Sequence, residues 1–424
     1  MQPTEYARLT HLYDEWLDYP GYPLEPSFSR AEYALRVRRA REGMAAAGLD
    51  ALVITSSGIG QWFTSFAEPH EWHDRCPSRS TWYILTPTED YLYMTPTAGG
   101  EHFNTTRRST WVTYIGAIVE RTPWPRCEIW DLAQMPLIFA ALGLARGRLG
   151  FELGDCMTLG LSVNDYLRLR DLLPEAEFAD ASPLLRRLMS VHTPEEIARV
   201  RVACEAGVWM HDQVPAILRA GMTERELFAR LTDAFHGQFG AGYAYHPEGA
   251  WDIRNHATGD SITFHAAVTD RVFKAGDVVC RSTSGVSYRG YPGDVDRVWA
   301  LGEPPAIVRH WYHTAWECNR AMAEAIKPGA RCSDVYAACA RVETRNGLPE
   351  RHVGRVGHGI RNTGCLSAHP DNHTALEPGM ILSVEPMFGH TYGWYDLEDQ
   401  YLVTDTGREA LNPLAPETLP VIPA

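Results

Sequence analysis

In the second half of the chain, carboxylates and histidines interrupt segments that are otherwise apolar. "GYPGDVDRVWALG" carries Asp294 and Asp296, "VGHGI" carries His358, "LEPGMILSVEPMF" carries Glu385 and "YDLEDQYLVTDTG" carries Glu398. "FHAAVTDRVFKAGDVV" opens beside His265. Each run has the apolar content of a buried strand, and an unpaired acid on such a strand is costly. A fold that accepts these segments must bring their acids and histidines together, so that each offsets the burial of the others or all share a cation. Asp294 and Asp296 lie two apart in a segment that reads as a strand, so they are expected on one face, about 7 Å apart along the backbone.

Local signals divide the chain. "SRAEYALRVRRAREGMAAAGLDALVITSS" reads as helix, turn and strand, with Ser29 as N-cap and Gly48 as the stop. Strand-like runs follow at "TWYILT", "YLYMT" and "WVTYIGAIV", and helical segments bracket "RLGFEL". This predicts an α/β domain over residues 1–185. A new helix starts at "VHTPEEIARVRVA", where Thr193, Pro194 and Glu196 form a capping box with proline at the first helical position. Residues 186–424 then carry helices near 194–219, 223–238, 304–326 and 332–346, and strands near 262–266, 277–283, 287–300, 380–387 and 396–403. Helices on one side of a mostly antiparallel sheet make this an α+β domain.

Bulk properties exclude several functions. A formal net charge of −14 with no long Lys/Arg run argues against nucleic acid and against an anionic membrane surface. No apolar run approaches the ~18 residues of a membrane span. The nine cysteines are scattered without a C-x-x-C pair, which fits a reducing compartment. The opening "MQPTEYARLTHLYDEW" lacks the basic and apolar regions of a signal peptide, so a cytoplasmic location is expected.

Taken singly, each residue has an ordinary explanation. A histidine on an apolar strand is usually a satisfied core residue, and Asp294 could simply pair with Arg297. Glu385 inside "SVEPM" is the hardest to explain this way, because its surroundings look buried and Glu rarely is.

The order of the segments decides the matter. "HTPEEIARVRVA", "FHAAVTDRVFKAGDVV", "GYPGDVDRVW", "IKPGARCSDV", "VGHGI", "LEPGMILSVEPM" and "LEDQYLVTDTG" together resemble the creatinase/prolidase/methionine aminopeptidase superfamily. The resemblance implies a pita-bread catalytic domain behind a smaller creatinase-type N-terminal domain. Peptidases of the superfamily hold two metal ions with Asp, Asp, His, Glu and Glu. The second Asp falls on Asp294, the His on His358, and the two Glu on Glu385 and Glu398. The first Asp would fall six residues after Gly276, where this chain has Ser282, and the adjacent registers give Thr283 and Ser284. The resemblance therefore implies at most one strong site for a divalent ion such as Mn, Fe, Co or Zn, with a metal-free centre as in creatinase also compatible. Asp296 is the acid that could compensate.

The same resemblance places the first catalytic histidine on His265 and makes Glu385 and His358 the other acid–base candidates. The second catalytic histidine is replaced by Cys365, with His369 and His373 nearby as substrate contacts. In relatives, the loop corresponding to residues 67–82 helps line the site, often across a dimer interface. Arg75 and Arg79 in this loop are candidates for holding a substrate carboxylate bidentately, with His70 and His73 beside them. The expected activity is hydrolysis of a C–N bond in a small, polar, carboxylate-bearing molecule or a dipeptide, by a homodimer. The alternatives are an Xaa-Pro dipeptidase or aminopeptidase, a dimethylsulfoniopropionate-type lyase, and an inactive interaction module.

Overall fold

Several helices begin where the sequence supplies a capping side chain. The structure, a computed structural model, describes residues 26–65, 81–94, 106, 109–118, 132–245, 250–265, 269–282, 285–349, 354–360 and 366–424. The chain divides into two compact units, Met1–Leu188 and Met189–Ala424.

In the first unit, α1 (Arg30–Ala47) starts at Ser29, whose hydroxyl accepts from the Glu32 amide at 3.1 Å. It stops at Gly48, whose φ of 63° is the left-handed conformation that glycine adopts without penalty. Six strands follow: β1 (Ala51–Ile54), β2 (Trp82–Leu85), β3 (Asp90–Met94), β4 (Tyr114–Ala117), β5 (Arg148–Phe151) and β6 (Glu177–Asp180). They form one sheet in the order β4-β3-β2-β1-β5-β6. β2 is antiparallel to both its neighbours and the remaining pairs are parallel. With α2 (Ser57–Thr64), α3 (Met135–Ala141), α4 (Val163–Leu172) and α5 (Ser182–Ser190), this is a mixed α/β arrangement. Its core joins Val53, Trp82, Ile84, Leu149 and Phe151 of the sheet to Ile138, Phe139 and Leu169 of the helices.

In the second unit, α6 (Pro194–Ile217) and α7 (Glu224–Gln238) each begin with a complete capping box, Thr193 with Glu196 and Thr223 with Glu226. α8 (Ala306–Ala325) packs on α9 (Cys332–Arg345). The strands are β7 (Tyr243–Tyr245), β8 (Ala250–Asn255), β9 (Ser261–His265), β10 (Asp277–Ser282), β11 (Val286–Tyr288), β12 (Tyr291–Gly293), β13 (Arg297–Leu301), β14 (Gly357–Gly359), β15 (Ile381–Val384), β16 (Phe388–His390), β17 (Gly393–Tyr395), β18 (Asp399–Val403), β19 (Arg408–Ala410) and β20 (Val421–Ile422). They assemble as β20-β13-β10-β8-β9, β12-β11-β7, β14-β15-β18-β19 and the hairpin β16-β17. Pairing is antiparallel except between β13 and β20.

The five-stranded sheet is buried on both faces. Val279, Ile253 and Trp299 pack toward Met210, Leu227 and Phe235 of α6 and α7. Val278, Cys280 and Val298 alternate with them and pack toward Val308, Tyr312 and Ala315 of α8. A second helix-on-sheet core joins α8 and α9 to β15 and β18. Covering on both faces explains why β10 and β13 read as continuous apolar runs.

The segment expected as one strand over 287–300 is three strands in two sheets. The chain leaves the three-stranded sheet at Gly293 and enters the five-stranded one at Arg297. Asp294, Val295 and Asp296 are the link. Asp294 and Asp296 therefore do not share a strand face, which corrects the expectation from spacing: alternation belongs to a pleated strand, and a link between sheets has none.

Two contacts from α6 position this link. A Cβ at Gly293 would lie 2.2 Å from the Ala203 carbonyl oxygen, so the close approach of β12 to the helix requires glycine. His211, 2% exposed, has Nε2 2.6 Å from the Val295 carbonyl oxygen. The carbonyl accepts, so Nε2 carries the proton. Burial, then the Arg281 and Arg297 guanidiniums, hold the His211 pKa well below its ordinary value. Below pH ~6.5 the unfolded chain takes up a proton that the folded chain refuses, so stability should fall with falling pH by up to about 1.4 kcal/mol per unit. Urea unfolding of His211→Gln and the parent between pH 5 and 7.5 checks this; the variant should lose that part of the slope.

Candidate active site

β14, β15 and β18 bring their acids and histidine to the link. His358 is the middle residue of β14, Glu385 directly follows β15 and Glu398 directly precedes β18. Val384 and Asp399 are register partners, so the two glutamates are neighbours across the strand ends. His358 Nε2 lies 3.7 Å from Asp294 Oδ2, 3.6 Å from Glu385 Oε2 and 3.5 Å from Glu398 Oε1. His358 Nδ1 lies 3.1 Å from the Gly359 carbonyl oxygen. That contact places a proton on Nδ1 and turns Nε2 toward the three carboxylates.

Buried hydrogen bonds hold these segments together. The Asp296 amide donates to the Glu398 carbonyl at 3.2 Å. Arg297 Nη1 donates to the carbonyls of Asp296 and Glu398 at 2.8 and 2.9 Å, and its Nη2 pairs with Asp399 at 3.1 Å. The alternative of an Asp294–Arg297 ion pair is thus replaced by an Arg297–Asp399 pair. Asn319 of α8 donates to the Leu397 carbonyl at 2.5 Å and the Val384 carbonyl at 3.4 Å, beside both glutamates.

A second group of acids adjoins the first. Ligand atoms of Asp294, His358 and Glu398 lie within 4.8 Å of one another, and so do those of Asp296, Glu385 and Asp396. Asp396 is fully buried and was not singled out from the sequence. Its signal was present in "DLED", where it stands two residues before Glu398, as Asp294 stands two before Asp296. Burial raises the pKa of Glu385, and Asp396 and Asp294 add to the rise while His358 and Arg355 oppose it. Burial raises Glu398 well above the ordinary carboxylate range, with Asp294, Asp296, Glu385 and Asp396 all adding to it.

This donor set fits a divalent cation. Glu398 is 1% exposed, and its Oε1 has no hydrogen-bond partner among the described residues. The imidazole–carboxylate distances exceed the 2.7–3.2 Å of a hydrogen bond, roughly the spacing of ligand atoms around one ion. Carboxylates with one imidazole suit Mn, Fe, Co or Zn.

The other residues singled out from the sequence are placed as follows. His265 ends β9 with its backbone opposite Trp251, and Ser282 ends β10 opposite Ala250. His369 and His373 are engaged near α9: His369 lies beside Asp371 and the Tyr336 ring, and His373 Nδ1 is 3.2 Å from Ser333 Oγ. The structure does not join them to either acid group. Arg75, Arg79, His70, His73 and Cys365 lie outside the described residues. Among the described residues, no helix is long and apolar enough to cross a membrane.

Comparison with known proteins agrees with this architecture. The profile of the creatinase/prolidase N-terminal domain matches residues 36–191, and that of metallopeptidase family M24 matches residues 198–405. The probable dipeptidase PepE of Mycobacterium tuberculosis is 30% identical over 360 residues, covering 80% of this chain and 92% of that protein. A creatinase from a Bacillus species is 27% identical over 416 residues, covering 94% and 95%. The crystal structure of dipeptidase PepE from Mycobacterium ulcerans superposes with a TM-score of 0.73 at 25% identity, covering 94% of this chain and all of that one. With a creatinase-type N-terminal domain ahead of a pita-bread domain, the chain belongs to metallopeptidase family M24, among the creatinase/prolidase-type hydrolases.

Proposed function

We propose that the chain hydrolyses a C–N bond in a small, polar, carboxylate-bearing substrate, a dipeptide foremost, with the help of a divalent cation. The observation that carries this reading is His358 Nε2, facing Asp294, Glu385 and Glu398 at 3.5–3.7 Å while Nδ1 is tied to a carbonyl. Asp294, His358, Glu385 and Glu398 would hold the cation. Bound there, it would lower the pKa of a water and polarise the scissile carbonyl. Glu385 keeps 14% of its side chain exposed beside His358, so it is placed to accept a proton from the attacking water. The water oxygen bonds to the carbon, the C–N electron pair stays on nitrogen, and Glu385 returns the proton to that nitrogen. His265 is proposed to hydrogen-bond or protonate the departing group.

Release of free amine from a panel of dipeptides, Xaa-Pro dipeptides and creatine tests the substrate class. Dipeptide turnover supports the reading, and creatine turnover alone would replace it with a creatinase-like one. His265→Ala should lower kcat by ~10²–10⁴ while leaving the unfolding midpoint within a degree or two. Unchanged turnover would remove His265 from the chemistry.

One observation favours a metal-free acid–base centre instead. Ser282 stands where a carboxylate would anchor a second ion, and a hydroxyl is the weaker ligand for a hard dication.

A further inference from the structure

We propose that the Arg355 guanidinium holds the carboxylate of the substrate, and that this contact confines the enzyme to dipeptides. The inference rests on the hydrolytic reading above and deepens it by naming what selects the substrate. Arg355 is exposed and stands at the entry to β14, three residues before His358. The neighbouring Val356 fixes its place. The Val356 amide donates to the Ala368 carbonyl at 3.0 Å, and the Val356 carbonyl accepts from the Glu385 amide at 2.8 Å. Arg355 therefore adjoins a direct backbone contact with Glu385. Its positive charge is felt at the Glu385 carboxyl, yet among the described residues its guanidinium has no hydrogen-bond or ion-pair partner.

The surrounding charge explains why such a group is needed. Asp294, Asp296, Glu385, Asp396 and Glu398 crowd the site, so an anionic substrate enters against repulsion. Other arginines nearby are engaged. Arg297 serves Asp399 and three backbone carbonyls, Arg320 pairs with Asp399, and Arg281 is fully buried against Tyr245 and Met210. Arg355 has its donors available, and a guanidinium meets a carboxylate through two parallel hydrogen bonds. In a dipeptide the carboxylate lies one residue beyond the scissile bond. A longer peptide places a neutral amide there, and its further residues run into the guanidinium.

The test offers an alanyl dipeptide, its C-terminal amide and the matching tripeptide to the full-length protein supplied with Mn²⁺. The parent should prefer the free acid, with kcat/KM for the amide and the tripeptide at least ~10-fold lower. Arg355→Ala should raise KM for the dipeptide by ~10–100-fold, as for a lost charged hydrogen bond, and leave kcat within about threefold. Its kinetics on the amide should match those of the parent. Arg355→Lys should recover part of the loss, because it restores the charge without the fork. An equal rise in KM on acid and amide, or no rise on either, overturns the proposal. If the parent cleaves no dipeptide, the hydrolytic reading fails by itself, and Arg355 is judged by calorimetric binding of alanine and alaninamide. Tighter binding of the acid, lost in Arg355→Ala, sustains the carboxylate contact; equal binding of the two overturns it.

Discussion

Glu398→Gln is expected to abolish turnover while leaving the metal-free protein at least as stable as the parent. Glu398 is 1% exposed, and burial followed by Asp294, Asp296, Glu385 and Asp396 raises its proton affinity far above that of a free glutamate. Burial and the neighbouring acids oppose the charged form of the metal-free side chain, and an amide of the same shape has no charged form to oppose. The sign follows from linkage. A carboxyl raised in the folded state contributes stability at low pH and loses it as pH rises, so the advantage of the variant should widen as pH rises above about 4.3. Cation binding moves the other way, because the variant lacks one anionic ligand. Losing an outer-shell partner of a metal ligand costs ~10–100-fold in affinity, so losing a ligand should cost no less than ~10²-fold. Thermal unfolding with and without Mn²⁺, beside turnover, reads both effects. A variant that turns over within threefold of the parent would remove Glu398 from the site.

Arg297→Met should be the most destabilising single change near the site. Arg297 is buried, pairs with Asp399 at 3.1 Å and donates to the carbonyls of Asp296, Glu398 and Pro413. Removing one partner of a buried pair costs about 3–5 kcal/mol. Asp399 keeps Arg320 and Asn412, which places the expected loss at the lower end of that range. The carbonyls of Asp296 and Glu398 would also be freed, and these two residues carry acids of both groups. Cation affinity should therefore fall although no ligand has been touched. Asn319→Ala, which frees the carbonyls beside Glu385 and Glu398, should cost about 1–3 kcal/mol with a smaller fall in affinity. Urea unfolding and Mn²⁺ titration of both variants measure this pair of effects. Unaltered affinity in folded Arg297→Met would show that the acids hold their places without it.

Much of this arrangement is written in local sequence, and the exceptions share a cause. The capping boxes at Thr193–Glu196 and Thr223–Glu226 involve residues three apart, and only the first was read from the sequence. His358, Glu385 and Glu398 were conspicuous because their neighbours are apolar, and the chain brings both glutamates within 3.5–3.6 Å of the His358 Nε2. The pleat rule misled at Asp294 and Asp296 because it assumes one strand. The break between sheets is set by long-range contacts, Gly293 against Ala203 and His211 against Val295, that no window around residue 294 contains. Asp396 was passed over for a related reason. It looked like the flank of a recognised motif, and its value comes only from the approach of Asp296 and Glu385 in space.

The most direct measurement compares turnover of a dipeptide substrate by native protein, by the same protein after chelation and dialysis, and by the dialysed protein after addition of Mn²⁺ or Co²⁺. Metal-assisted hydrolysis predicts that chelation removes at least about 99% of the activity and that the added ion restores most of it, in proportion to bound metal. Full turnover by protein shown to contain less than a tenth of an equivalent of metal would contradict it, and would leave His358 and Glu385 as a metal-free acid–base pair.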